Sequence, residues 1–491
     1  MGSYAQAALI AGGLLAGAAV VASGLGGNRI DARADQTDAR GLAPGGAATS
    51  KGSVDNRNAF SHASATLSFA REFDFKIGNA IFRKLWVSSP ASTRSSDGLG
   101  PLFNARSCQR CHLKDGRGHP PAAPWPKDNA VSLLLRLSIP PQSDAQRRAL
   151  ANGRIAVIPE PTYGTQLQDL AIQGHRAEGR VHITYTEREV RLAGGEIVRL
   201  RKPIVRITDL GYGPLHPRTM ISVRVAPPMI GLGLLEAVPD AAILARADPD
   251  DSDGDGISGR PNRVRARRSG AMVLGRFGWK ALEPDLVAQT AAAFSGDMGL
   301  SSALLPATAG GCTAAQKACL AAPHGASKGG AEVPESLFRL VVFYARNLAV
   351  PARRNANTPA VKRGRTLFHQ VGCAACHTPS FTTGKDTPSP HLADQKIWPY
   401  TDLLLHDMGD GLADHRPEAR ASGREWRTPP LWGIGLTRTV SGHTFFLHDG
   451  RARNITEAIL WHGGEAQASR DRFAKLSAKE RAALLAFVNS L

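Results

Sequence analysis

The chain has no long hydrophobic run. Its one uncharged apolar stretch, residues 7–21, is too short and too rich in glycine to read as a membrane span. It reads instead as an export signal, with small-residue cleavage sites near Ala22 or at Ala32-Arg33-Ala34, or as a retained anchor, the one route to membrane contact. Basic residues are missing at the start: the first is Arg29, so the usual basic leader of a secretory signal is not there. Acidic residues are outnumbered, 42 against 60 Lys and Arg, for a formal charge of +18. That balance favours an acidic partner or an anionic surface. It does not point to nucleic acid, because the arginines are scattered and no recognition motif accompanies them. Apolar content of 42%, with 51 Gly and 32 Pro in 491 residues, describes a loop-rich globular protein long enough for two or three domains.

Cysteine is scarce too, six residues in all. Four of them fall in two pentapeptides, Cys108-Gln109-Arg110-Cys111-His112 and Cys373-Ala374-Ala375-Cys376-His377. Two thiols one helical turn apart can each add to a vinyl group of one haem, and the next residue then turns its imidazole toward the iron. A zinc ribbon sets its Cys pairs close together and needs no His after either, and a redox dithiol needs no His. The pentapeptides therefore read as two covalent haem c sites, with His112 and His377 as iron ligands and Cys108, Cys111, Cys373 and Cys376 as attachment points. Cys312 and Cys319 remain; they do not form a Cys-x-x-Cys pair. Outside the cytosol they are expected to close a local disulfide, with free thiols as the alternative.

Residues 1–34 form the export segment and residues 35–60, rich in Gly, Ala, Asp and Ser, a flexible lead. Order is expected to begin near Phe69, where Phe69, Phe73, Phe75, Ile77, Ile81, Phe82 and Leu85 predict a helix before the first pentapeptide. A similar helix over 360–368 precedes the second, and in each a Gly is followed four residues later by Phe: Gly78 and Phe82, Gly364 and Phe368. This resembles the first helix of the cytochrome c fold, twice. Between them, 181–185 and 197–207 read as strands about Ala193-Gly194-Gly195, and 221–225 as another, so 130–230 is a β-containing insertion. Helices resume over 334–349, with Leu337, Leu340, Val341, Tyr344 and Leu348 on one face before Pro351, and the chain closes on a helix over 477–491. The expected fold is mainly α: two cytochrome c-like haem domains, 61–345 and 346–491, with the β-containing insertion in or after the first.

Longer stretches resemble a family. Gly98-Leu99-Gly100-Pro101-Leu102-Phe103-Asn104-Ala105-Arg106-Ser107 before the first pentapeptide and Lys114-Asp115-Gly116-Arg117-Gly118 after it are similar to the bacterial di-haem oxidoreductases. So are Asp253-Gly254-Asp255-Gly256-Ile257-Ser258-Gly259-Arg260-Pro261-Asn262, Gly275-Arg276-Phe277-Gly278-Trp279-Lys280 and the last 120 or so residues. These peroxidase-like enzymes, sometimes labelled thiol oxidoreductases, are distant relatives of the di-haem cytochrome c peroxidases and of MauG. Phe446-Leu447-His448-Asp449-Gly450 resembles their Phe-His-x-Gly element, which implies that His448 backs the C-terminal haem. In the relatives a Met or Tyr ligand follows that His by fourteen residues, and here the position is His462. The resemblance thus implies a bis-His second haem, with Met408 in His406-Asp407-Met408-Gly409 as the alternative ligand. Imidazole in place of thioether lowers the haem potential and departs from the usual peroxidase arrangement.

The first haem has no His, Met or Tyr in an obvious distal position, His119 reading as a loop residue, so its sixth site is open to peroxide or dioxygen. Peroxidase relatives move protons there with a Glu, and Pro228-Met229-Ile230-Gly231-Leu232-Gly233-Leu234-Leu235-Glu236-Ala237 looks like the matching segment, which makes Glu236 the expected acid/base. Asp251, Asp253 and Asp255 set three hard oxygens on one tight loop, yet Asn262 stands where an EF-hand needs Glu. The relatives hold calcium between their haems, so a calcium loop of another kind is expected, with an acidic turn as the alternative. Trp279 is an electron relay between the haems or a core Trp. The resulting expectation is a periplasmic di-haem oxidoreductase. Its oxidant is a small molecule, hydrogen peroxide or dioxygen, and electrons pass to or from a redox partner. A di-haem electron carrier without catalysis, and an oxidase serving acquisition of a metal such as iron, are the other readings.

Overall fold

A computed structural model describes residues 42–123, 127–128, 131–327 and 330–491, so the expected export segment and the start of the expected lead lie outside the described residues. Phe69–Arg83 is helical after an extended Ser68 and buries Phe75, Gly78, Ile81 and Phe82, positions three and four apart that share one face. Gly78 marks the crossing with the Glu335–Asn347 helix, where a Cβ would collide with the Leu340 carbonyl. Phe69 and Phe73 do not share that face and are 87% and 68% exposed. At about 3.6 residues per turn Phe69 falls opposite Gly78, so the close crossing turns it to solvent.

The same construction recurs before the second pentapeptide. The Pro359–Gln370 helix, capped by the Thr358 side chain, buries Val361, Gly364, Leu367 and Phe368. It crosses the closing Ala478–Ser490 helix, which a Ser477–Glu480 capping box starts, at a point where a Cβ on Gly364 would strike the Ala483 carbonyl. Ring contacts repeat as well: Phe82 meets Tyr344 at 5.2 Å and Phe368 meets Phe487 at 5.2 Å. Each of these phenylalanines also faces the imidazole of its own pentapeptide, at 6.3 Å to His112 and 6.4 Å to His377.

Helix outweighs strand, 30% against 17%, and every sheet among the described residues is two-stranded. Leu133–Ser138 pairs antiparallel with Met220–Val225, and Arg180–Arg191 with Ile197–Thr208. The second hairpin turns through Gly194 and Gly195, both at positive φ, as the expected strands require. Its tip does not stay with the first half of the chain. Leu192 and Leu200 enter the core built on Phe368, Trp461 and Phe487, and Ala193 N–H donates to the Ala474 carbonyl.

Two cores divide the chain less cleanly than a boundary at 345/346. Phe381, Leu392, Leu404, Trp432 and Val440 pack into the first core with Phe82, Phe294 and Tyr344. Residues 40–491 accordingly form one compact unit. Order also begins before Phe69: Ala48, Ala59 and Phe60 are buried, and Ser50 N–H bonds to the Val350 carbonyl, so 42–60 is packed chain and not a flexible lead. Among the described residues no helix is long and apolar enough to cross a membrane.

Candidate functional site

The first pentapeptide is a short helix, Cys108–Cys111, entered from extended Ser107 and ended at His112. The second is a tight turn over Cys373–Ala375 that follows Gly372 at positive φ. All four cysteines are unpaired. Burial pushes the Cys108 and Cys373 thiols up to about 12, with Asp297 adding to the rise at Cys108, and Cys111 and Cys376 are raised for the same first reason. Raised by burial, none of the four is an activated thiolate of the kind that disulfide exchange uses.

Three imidazoles share one mode of support. His112 Nδ1 donates to the Pro227 carbonyl (2.8 Å), His377 Nδ1 to Tyr400 (2.9 Å) and His462 Nδ1 to Ala458 (2.7 Å). A carbonyl can only accept, so each ring carries its proton on Nδ1 and offers Nε2 as a ligand atom. Desolvation lowers the pKa of His112 and of His377 to about 4 and that of His462 as well, which keeps the rings neutral at ordinary pH. His462 lies within electrostatic range of His377 and depresses it further. Paired free thiols followed by a carbonyl-backed neutral imidazole are the donor set that covalent haem requires, and it is present twice.

Met408 packs among apolar residues of two core clusters, its N–H on the Arg424 carbonyl. His448 is stacked on Trp426, 3.7 Å between ring centroids at 11°, and burial lowers it to about 3. His119 bonds the adjacent Pro120 carbonyl and faces His443, as a loop residue would. Missed in the sequence was His406, buried between Asp402 (2.7 Å) and Glu465 (2.6 Å) and 3.5 Å from Cys376 Sγ. Those partners outweigh desolvation and hold it well above the usual histidine range.

The Glu236 side chain is largely enclosed but engaged on both oxygens. It accepts from Arg346 Nε (2.6 Å) and Nη2 (3.1 Å) and from Leu286 N–H (2.9 Å), tying Leu232–Glu236 to the helices Leu286–Met298 and Glu335–Asn347. This placement makes it an ion-pair partner in the packing of three helices, and not the free carboxyl that the sequence led us to expect. Carboxyls held by neutral amide donors, with no cation in their hydrogen bonds, sit elsewhere. Asn104 Nδ2 donates to Asp169 (2.8 Å), and Gln166 Nε2 donates to Asn104 Oδ1 (2.6 Å) and Asp297 Oδ1 (2.9 Å). Gln168 N–H and Gln316 Nε2 bond Glu178 (2.6 and 2.5 Å).

Desolvation raises Asp297, lifts Asp169 to about 6 and lifts Glu178 to about 8. Asp297 acts electrostatically on both thiols of the first pentapeptide, and Asp169 on Cys111. The Gln166 and Gln168 carbonyl oxygens are buried without a donor. The only advance signal was the polar run Gln166, Gln168, Asp169 inside an otherwise strand-like stretch.

Cys312 and Cys319 are disulfide-bonded and bracket Gln316. In the acidic loop Asp248, Asp251 and Asp253 bring ligand-capable atoms within 4.8 Å of one another. Asp255, expected in that set, accepts from Ile257 N–H instead, and Asp248, outside the expected triplet, takes the third place. Trp279 donates from Nε1 to the Val225 carbonyl (2.9 Å) and stands edge-on to His448 at 6.4 Å.

Repeated helix pairs, repeated donor sets and one second imidazole fit a protein of the di-haem class. A family model described as "Di-haem oxidoreductase, putative peroxidase" matches residues 38–491. The chain belongs to that family. A comparison with curated proteins found no match. Among solved structures, a chain of hydrazine synthase from Kuenenia stuttgartiensis, studied under xenon pressure, is similar at a TM-score of 0.22 and 19% identity. The match covers 33% of this chain and 57% of that one, little more than half its length, and carries no argument about fold or chemistry.

Proposed function

We propose that this di-haem oxidoreductase reduces peroxide, or dioxygen, at a haem held by Cys108, Cys111 and His112, fed by electrons through a second haem held by Cys373, Cys376, His377 and His462. The observation that supports it best is the asymmetry of the two sites. His377 has a second carbonyl-backed imidazole, His462, acting on it, whereas what acts on His112 is burial and the Pro227 and Gly116 backbone. A haem c with an open sixth position supplies binding and reduction of the oxidant when bound. The chain's own residues manage protons and orientation. Reduction of peroxide to two waters consumes two protons, and Asp169, with its pKa near 6, is the group best matched to deliver and recover them near neutral pH, with Asp297 beside it. Gln166 and Gln168 offer unpaired carbonyl oxygens to a small donor such as water or peroxide. Glu236 holds the surrounding helices through Arg346.

The Cys312–Cys319 disulfide and the two attachment motifs favour a location outside the cytoplasmic membrane, and the charge of +18 favours an acidic redox partner. A cation on Asp248, Asp251 and Asp253 would brace the neighbouring Ser258, which donates to Glu465, the partner of His406. Low-temperature EPR of the oxidised holo-protein, before and after stoichiometric hydrogen peroxide, tests the reading. It expects one high-spin and one low-spin signal, with the high-spin signal lost on peroxide. Two low-spin signals indifferent to peroxide would return the electron-transfer cytochrome.

A further inference from the structure

We infer that Arg117 and Arg427 hold carboxylates of the prosthetic groups, one haem propionate at each pentapeptide, an inference that rests on the two-haem reading above. The two arginines occupy matching places. The Pro227 carbonyl holds His112 (2.8 Å), and the residue before it, Ala226, accepts on its carbonyl from the N–H of Gly118 (2.9 Å), the residue after Arg117. The Tyr400 carbonyl holds His377 (2.9 Å), and the residue after it, Thr401, donates its hydroxyl to the carbonyl of Thr428 (2.6 Å), the residue after Arg427. Each guanidinium therefore branches from a segment bonded beside the support of one pentapeptide imidazole. Both also flank one residue: Arg117 lies 5.2 Å from the Trp279 ring, and Arg427 N–H donates to the Trp279 carbonyl (2.9 Å).

Neither arginine has a carboxylate of its own. Arg117 Nε donates to the Phe445 carbonyl (2.9 Å) and Nη2 to that of Leu447, while Arg427 Nε donates to the Gly278 carbonyl (3.0 Å) and Nη1 to that of Thr428 (3.1 Å). Carbonyls solvate a guanidinium without neutralising it. Among the described residues Nη1 of Arg117 and Nη2 of Arg427 make no hydrogen bond. The carboxylates that act on them from further away are committed elsewhere, Asp449 to Arg451 (2.7 Å) and Asp402 to His406 (2.7 Å). Other enclosed cations do hold a carboxylate: Arg416 holds Glu418, and Lys280 holds Asp414 (2.9 Å). Arg427 is 7% exposed, Arg117 keeps some surface in a deep crevice, and desolvation lowers both to about 10. An enclosed charge without a counter-ion is strongly destabilising, so both places call for an anion. Haem brings carboxylates with it, and a planar guanidinium with a free terminal nitrogen is suited to bind one.

The test uses the full-length holo-protein and reads each haem by resonance Raman and by spectroelectrochemical titration, the spin states telling the two apart. Arg117→Gln should shift the propionate bending band and lower the reduction potential of the first haem alone, and Arg427→Gln should do both at the second haem alone. Loss of a facing cation favours the ferric form, by roughly tenfold in the ferric-to-ferrous ratio at fixed potential. Arg117→Lys and Arg427→Lys keep the charge and lose the fork, so the potential should return while the band stays shifted; they also serve should a Gln variant fail to fold. Arg481→Gln removes an enclosed guanidinium that already holds Glu196 (2.6 Å) and should move neither reading. Unmoved bands and potentials in both Gln variants would make the arginines structural and overturn the anchors alone. Unsubstituted protein carrying fewer than two haems would overturn the two-haem reading, and the anchors with it.

Discussion

Replacing Glu236 by Gln separates a structural carboxylate from a catalytic one. Its side chain is 6% exposed and that of Arg346 is 17% exposed, and the pair is bidentate at 2.6 and 3.1 Å. Gln keeps one acceptor for Leu286 N–H but removes the negative charge, leaving a half-enclosed guanidinium without its counter-ion. Breaking such a pair costs about 3–5 kcal/mol when the remaining charge is fully buried. With one hydrogen bond retained and Arg346 partly solvated, a loss of ~2–3 kcal/mol follows. Three helices meet at this carboxylate, so the loss should appear as a lower denaturant midpoint for the folded holo-protein, read by far-UV circular dichroism and by the Soret band. Peroxide reactivity of the protein that remains folded should stay within a few-fold of the original. The reasoning fails if the midpoint is unchanged while the peroxide reaction slows by about a hundredfold or more, the scale of a lost general acid; Glu236 would then be the proton carrier after all.

Asp297→Asn and Asp169→Asn carry the opposite expectation: peroxide consumption at the first haem slowed by about 10²–10⁴, with spectra of the resting protein retained; unaltered stopped-flow rates in both would remove the carboxyls from the chemistry. His462→Ala should turn the second haem from low to high spin by EPR, and an unaltered spectrum would transfer the sixth ligand to Met408. Glu178 carries a pH signature. Its carboxyl titrates near 4.5 when unfolded and about 8 when folded, chiefly from desolvation, with Glu160 and Asp169 adding to the rise and the donors Gln168 N–H and Gln316 opposing it. The folded state therefore keeps its proton longer, and the stability this contributes is full below pH 4.5 and is lost as pH rises through 8. Glu178→Gln should flatten that part of the stability profile measured by urea unfolding, and a slope identical to the original would assign it to another group.

How far the sequence carried depends on whether a signal was local. Gly78 and Gly364, each four residues before a Phe, were legible because a helix crossing at van der Waals distance admits only glycine, and both crossings are there. The long hairpin was legible from alternation and a Gly-Gly turn. Where its tip would go was not: Leu192 and Leu200 are ordinary strand residues until the 455–491 region supplies the core that receives them. The same limit explains the exposed Phe69 and Phe73 and the buried Ala48 and Phe60, since apolar residues mark a need for burial without naming the partner that provides it.

The site divides the same way. Cys-x-x-Cys-His is contiguous, so the donor set of unpaired thiols and a following imidazole is legible without the fold, and counting fourteen residues from His448 reaches an imidazole that acts on His377. Glu236 shows the limit of carrying a role over from a matching segment: Arg346, over a hundred residues away, engages the carboxylate, and nothing local announces it. The hydrogen-bonded carboxyl and carboxamide groups near the first pentapeptide come from three separate stretches, Asn104, Gln166 to Glu178, and Asp297, and only the folded chain makes them one seam. His448 makes the point from the other side. The motif that announced it concerned the C-terminal half, yet its ring is clamped between Trp279 and Trp426 and its carbonyl is held by Val225, two residues from the support of His112. A residue whose contacts reach toward both pentapeptides is legible only in the folded chain, because Trp279, Trp426 and Val225 come from stretches that no local motif ties to it.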